Sequence, residues 1–361
     1  MRPTDWTTPA SVAPALLMLL SLAALSGCMS LGPQRIEVDS FDYSNALRTS
    51  AQQQLLLNAL ALRYSEVPMF LDVSSVISSF AVEGSVNAGA NWSSGWLAGD
   101  GQNLGVAGRY REQPTITYTP RVGDKFTRSL LSPIPPVSLF GLVQSGWPIS
   151  AIFRLAVRSM NGVSSYSRLR FLGGEGDAEF AEMIEAMQRV QYSKKLDFRI
   201  EKTEDGPVAV MFLAKELDAE TARDVAYLRA LLGLAPGTSE FSLVYGRTPR
   251  GGDEIAVLTK SMLEILSELG AAVDVPLEHL GEGRVPYTVA HSAEVAPLVK
   301  ILSSKDRPED AMTAVRFRDY WFYISDRDVA SKRAFMIVGL LLSLAETGSV
   351  RTAPVVTIPA S

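Results

Sequence analysis

Leu196-Asp197-Phe198-Arg199-Ile200-Glu201 alternates apolar with charged residues, and Val208-Ala209-Val210-Met211-Phe212-Leu213 returns after Asp205-Gly206-Pro207. Alternation with a period of two puts one kind of residue on each face of a strand. The stretch therefore predicts a β-hairpin. Asp218 stands where a helix N-cap belongs, a helical stretch runs on to about Leu231, and Phe241-Ser242-Leu243-Val244-Tyr245 reads as a further strand. The order β-β-α-β predicts an α+β fold, with mixed or antiparallel sheets flanked by helices.

Downstream, Glu254 to Thr259 predicts a strand, and Met262 to Leu269 a helix stopped by Gly270. The last sixty or so residues suggest the same order again, as a second ββαβ-like unit and distant copy of the first. Leu298 to Leu302 and Thr313 to Arg318 read as strands, and Tyr320-Trp321-Phe322-Tyr323-Ile324 is the densest aromatic run. A helix start follows at Ser325-Asp326-Arg327-Asp328. Its continuation, Phe335 to Leu344, is apolar nearly all round and predicts a central, buried helix. Val355 to Ile358 closes as a strand.

Upstream, a helix is expected from Asp42 or Ser44 to Arg63, bounded by Pro68. Met69 to Val86 is rich in β-branched residues and predicts one bent strand or two short ones. Residues 84–108 carry glycines at 84, 89, 95, 99, 101, 105 and 108, with Trp92 and Trp96 between them. Pro114 to Pro120 then alternates as an edge strand does. The glycine-rich stretch is thus expected as the long connection of a hairpin. Trp92 and Trp96 are candidate contacts with a membrane or a partner; the alternative is a loop whose tryptophans fold back on the sheet.

Residues 123–162 read as helices broken at Pro133, Pro135 and Pro136 and reopened at Pro148. The last of them is expected to run through Val157, with Arg154 and Arg158 one turn apart as an anion site or a solvated face. Asp177 to Gln191 predicts a helix with Ala178, Ala181, Ile184, Met187 and Val190 as its core stripe. Glu179, Glu182 and Glu185 then line its outer face. Two α+β domains are expected, 41–193 and 194–361, meeting near Ser193.

The N-terminus reads differently. Ala15 to Leu25 is apolar but about half the roughly 20 residues that span a bilayer. It fits the core of a signal peptide. The four residues that close it, Leu25-Ser26-Gly27-Cys28, resemble the lipobox of bacterial lipoproteins. The resemblance implies that residues 1–27 are a signal peptide removed on export and that Cys28 is acylated. It implies a membrane anchor at Cys28, with 28–40 as a tether. Met29 stands where aspartate favours inner-membrane retention in that family, so the implied location is the periplasmic face of the outer membrane. Leu55 to Pro68 and Trp321 to Arg333 also resemble stretches in proteobacterial lipoproteins that have no assigned activity.

The net charge is −5, no basic run occurs, and Cys28 is the 1 cysteine. That balance argues against a nucleic-acid partner, and the remainder of the chain holds no disulfide. Hydrophobic residues make up 47%, enough for a sizeable core. The search for chemistry finds 2 histidines, His279 and His291, and no Gly-x-Ser-x-Gly elbow. Glu278-His279 and His291-Ser292-Ala293-Glu294 share no metal motif, so no metal and no cofactor is expected. Arg327, Asp328, Lys332 and Arg333 form a charged cluster, read as helix capping and surface pairs or as a dock for an acidic partner. The expectation is a non-enzymatic envelope lipoprotein with a protein partner and a binding or assembly role. The alternatives are a hydrolase of envelope polymers using Glu83, Asp100 or Glu112, and a small-molecule or lipid carrier.

Overall fold

The computed structural model describes residues 33–77, 80–91, 101–112, 115–167, 176–204, 206–286, 297–345 and 355–357. Cys28, Trp92, Trp96, Asp100 and His291 lie outside the described residues. The chain divides into two compact units, residues 1–51 and 52–361.

The first helix, α1 (Pro33–Arg63), begins well before the expected start at Asp42. Residues 33–40, expected as tether, are helical. Proline breaks a helix only from within; at the first position its missing N–H and fixed φ are no handicap. Strands β1 (Phe70–Ile77) and β2 (Phe80–Asn91) follow, and β3 (Gly101–Glu112) and β4 (Thr115–Arg121) return antiparallel against them. This corrects the long glycine-rich loop. The ladder runs unbroken from Phe80 opposite Glu112 to Asn91 opposite Gly101, with Gly84 opposite Gly108. The glycines interrupt neither the period-two pattern between them nor the pairing.

Three short helices follow, α2 (Asp124–Leu131), α3 (Pro136–Gln144) and α4 (Ile149–Ala156). Pro148 caps α4 rather than opening it, and α4 stops before Val157. Val157 and Arg158 belong to β5 (Val157–Met160), which turns at Asn161-Gly162 into β6 (Val163–Ser164). Both turn residues have positive φ, 46° and 91°, the conformation that Asn-Gly adopts in tight hairpins. Arg154 and Arg158 therefore do not share a helix face, and Arg158 pairs with Glu264.

Next come α5 (Ala178–Tyr192), β7 (Leu196–Thr203), β8 (Gly206–Leu213), α6 (Ala219–Leu232), β9 (Glu240–Tyr245) and β10 (Glu254–Thr259). On α5 the buried stripe is Phe180, Met183, Ile184, Ala186, Met187 and Val190, so Ala178 and Ala181 are outside it. The larger Phe180 and Met183 decide which face turns inward. Asp218 caps α6 as expected, accepting from the backbone N–H of Glu220 and Thr221.

The sheet order is β6-β5-β10-β9-β8-β7, antiparallel except for the parallel pair β9–β10. Residues on both sides of Ser193 thus build one sheet. α3 lies against β7, β8 and β9, and α5 packs between α4 and α6. Phe140 of α3, Phe153 of α4 and Phe198 of β7 meet at ring separations of 4.8 to 6.5 Å.

The chain continues through α7 (Met262–Ala271), α8 (Leu277–Gly281), β11 (Leu302–Ser304), β12 (Ala311–Phe317), β13 (Tyr320–Ser325), α9 (Val329–Ala345) and β14 (Val355–Thr357). Ser261 and Glu264 form a full capping box on α7. Gly270 does not stop α7. It lies inside the helix, where a Cβ would come within 2.5 Å of the Ala59 carbonyl oxygen of α1. The expected strand at Leu298 to Leu302 begins only at Leu302. The antiparallel sheet β11-β13-β12 follows, and β14 pairs parallel with β1 instead of joining it. β11 to β14 therefore do not repeat the sheet topology of β7 to β9. α9 packs on α4, α7 and β13 with one side only: Phe335, Ile337, Val338 and Leu341 are buried, Met336 is exposed.

Candidate functional site

His279 on α8 is 2% exposed, and its Nδ1 lies 2.6 Å from the Tyr64 hydroxyl at the end of α1. Tyr64 meets Phe317 and Phe322 edge to face, and His279 meets Tyr320 in the same way. Burial holds the His279 pKa below the usual imidazole value, with the nearby Arg284 acting in the same direction. Burial also pushes the Tyr64 hydroxyl up. Both groups are thus neutral near pH 7, joined by one hydrogen bond. The β12–β13 turn reaches this pair through Arg318, whose guanidinium lies 4.9 Å from the Tyr64 ring centre and 2.6 Å from Glu66. Arg318 and Asp319 both have positive φ, 48° and 70°. A non-glycine residue in that region is costly unless its surroundings hold it there, and here Glu66 and the Tyr64 ring do.

Glu278 lies outside the buried pair. It accepts from the Tyr320 hydroxyl at 2.8 Å and approaches Lys305 at 4.0 Å. The Tyr320 hydrogen bond, then Lys305, holds its carboxyl below the usual range. Glu278 and His279 therefore each have a protein partner. Among the described residues no group of three or more His, Cys, Asp or Glu is placed to hold a metal. With Tyr64 at 4% exposure and His279 at 2%, the pair that could move a proton is shut away from any substrate. It fixes the end of α1, α8 and the β12–β13 turn to one another.

Several other charged groups also have structural partners. Asp328 accepts from Ser331, which caps α9 and holds the Asp328 carboxyl below its usual pKa. Arg327 pairs with Asp310, and Lys332 with Asp326. Glu182 accepts from Tyr227 at 3.2 Å. Lys260, 2% exposed, gives its ammonium to Glu268 at 2.8 Å. Glu268 borders a cavity of about 30 Å³ lined also by Leu155, Ile265, Leu269 and Val299. That is room for a water or two, far below the roughly 300 Å³ or more of a ligand pocket.

The longest ladder among the described residues is β2–β3, from Phe80 opposite Glu112 to Asn91 opposite Gly101; β1–β4 is a separate pair, in the sheet β14-β1-β4. The root of β1–β4 is tied to α1. Asn58, buried, both donates to the Met69 carbonyl and accepts from the Met69 N–H, at 2.9 and 2.6 Å. Gln54 accepts from the Leu71 N–H at 3.0 Å. Phe70 packs edge to face on Phe126 of α2. Above the root, Leu71, Ile116 and Tyr118 are exposed. β14 lies on the β1 side, but β2 and β3 pair only with each other among the described residues. Glu83 stands opposite Arg109 and Glu112 opposite Phe80. Positions 83 and 80 are an odd number of residues apart, hence on opposite faces of the ladder. The register therefore does not bring these two carboxylates together. No protein-family profile, curated protein sequence or solved structure matches the chain.

Proposed function

We propose that the chain is a lipid-anchored envelope protein, held by an acylated Cys28 at the periplasmic face of the outer membrane, that acts by binding and assembly. The observation that carries the reading is the β2–β3 ladder, Phe80–Asn91 against Gly101–Glu112, which pairs with no further strand among the described residues. A two-stranded ladder is marginal in water by itself, so a partner surface would add contacts that its own pairing lacks. Support for the anchor is the Leu25-Ser26-Gly27-Cys28 sequence with Met29 after it. His279 is tied to Tyr64, Glu278 to Tyr320 and Glu268 to Lys260, each as a structural link.

The test is the mass of the mature N-terminal peptide beside membrane fractionation of wild type and Cys28→Ala. A diacylglyceryl-modified Cys28 and a wild type that sediments with outer membrane, with release of the variant, is the expected result. An unmodified Cys28, or a variant that fractionates like wild type, overturns the anchor.

A further inference from the structure

Among the described residues, charged and titratable groups face the Tyr64–His279 contact from every element packed around it. Arg63 and Glu66 come from the end of α1 and just beyond it. Glu278, Glu282 and Arg284 come from α8 and the turn after it, and Arg318 and Tyr320 from the β12–β13 turn. Lys305 follows β11 and approaches Glu278. The carboxylates are already engaged: Glu66 by Arg318, Glu282 by Arg284, and Glu278 by Tyr320 and Lys305. A proton on His279 would put a positive charge at a site 2% exposed. Glu278 and Glu282 favour that charge and Arg284 and Arg318 oppose it, but burial outweighs them all.

The smaller partner of the contact is the one free to move. α8 has 5 residues. The chain entering it is held at Val273 and Asp274, which bond to Ile301. Beyond Asp274, the hydrogen bonds among the described residues that tie 275–286 to other elements are His279 to Tyr64, Glu278 to Tyr320 and Arg63 to the Pro286 carbonyl. Its apolar contacts are Val275, Leu280 and Val285. Tyr64, by contrast, ends a long helix that is fixed by the Asn58–Met69 bonds and by the close approach of Gly270 to Ala59. The β12–β13 turn belongs to a three-stranded sheet.

We propose that the Tyr64–His279 contact is a latch opened by acid: a proton taken up by His279 ends the contact, and residues 275–286 part from α1 and the β12–β13 turn while the central sheet stays folded. The linkage has the right sign. His279 takes its proton less readily when closed than when open, so a falling pH favours the open form. From the ordinary imidazole value of about 6.5 down to the lower value of the closed form, the open fraction grows by up to about tenfold per pH unit. Opening uncovers Tyr64 and Val285, both buried when closed. The latch does not rest on the anchor at Cys28.

The test is amide hydrogen exchange of the full chain between pH 7 and 5, with each rate divided by the intrinsic rate at that pH. The expected result is an open fraction of residues 275–286 that rises by up to about tenfold per pH unit below about pH 6.5, with β7 to β10 unchanged. His279→Gln is expected to remove the rise. Tyr64→Phe leaves the histidine buried, so it is expected to keep the rise and to start from a larger open fraction at pH 7. Opening of 275–286 that does not depend on pH in wild type overturns the latch. So does an equal rise in His279→Gln, or opening of β7 to β10 in step with 275–286, which is general acid unfolding. If His279→Gln does not fold, Tyr64→Phe decides: an open fraction at pH 7 no larger than that of wild type shows that the contact holds nothing shut.

Discussion

β7 and β2 are both strands of antiparallel hairpins with alternating sequences, yet they differ in the sheet each joins and in the size of their apolar residues. The apolar residues of β7, Leu196 and Phe198, are buried against α3 and α4 by Phe140 and Phe153. Those of β2 are Val82, Val86 and Ala88, in a sheet of two strands. One hairpin brings large side chains to a core made by its own chain. The other brings small residues, glycine among them, to a ladder that pairs with no further strand among the described residues. The alternation is shared, and the volume of the apolar residues is what differs between the two sequences.

The comparison is broken first at its core end. Phe198→Ala opens a cavity beside Phe140 and Phe153 and is expected to lower stability by about 3–5 kcal/mol in urea unfolding. A loss under about 1 kcal/mol would show that the β7 face is not the body's core. Gly270→Ala places a methyl on the Ala59 carbonyl oxygen at 2.5 Å. Helix propensity alone would favour the change by about 1 kcal/mol, but the clash is expected to reverse the sign, to a loss of about 1–3 kcal/mol. Tyr64→Phe leaves His279 Nδ1 without its partner and is expected to cost about 1–3 kcal/mol in the same assay.

A smaller effect is the pH dependence. His279 has a lowered pKa in the folded chain, so below about pH 6.5 the unfolded state binds the proton that the folded state refuses. Stability is then full above that pH and falls as the pH drops through it. Urea midpoints between pH 7 and 5 should show this slope, and it should flatten in His279→Gln. The smallest effect is at the other end of the comparison. Val86→Asp in β2 should shift stability by no more than about 0.5 kcal/mol in urea unfolding. A larger loss would mean that this face packs against the rest of the chain.

The sequence made the centre legible because its signals are local. Strict alternation at Leu196 to Glu201, Asp218 as a cap and Ser261 with Glu264 each act within a few residues. Asn161-Gly162, the strongest short hairpin signal between β5 and β6, was readable too, but the helical texture of residues 149–156 conceals it. The glycines of 84–108 suggest a loop by composition, although Val82, Val86, Ala88 and Ala90 between them keep one parity and with it a strand pattern. Gly270 looks like a terminator because local pattern carries no information about α1 crossing at Ala59. The Tyr64–His279 pair joins residues 215 apart, and nothing in either neighbourhood announces the other. Cys28, Trp92 and Trp96 were legible only as sequence, and their places lie outside the described residues.

Amide hydrogen exchange of the full chain tests the difference between the two hairpins most directly. The prediction is that β7 to β10 are protected, while β2 and β3, a two-stranded ladder among the described residues, exchange faster. If β2 and β3 are as protected as the central sheet, contacts beyond their own pairing hold them and the comparison fails.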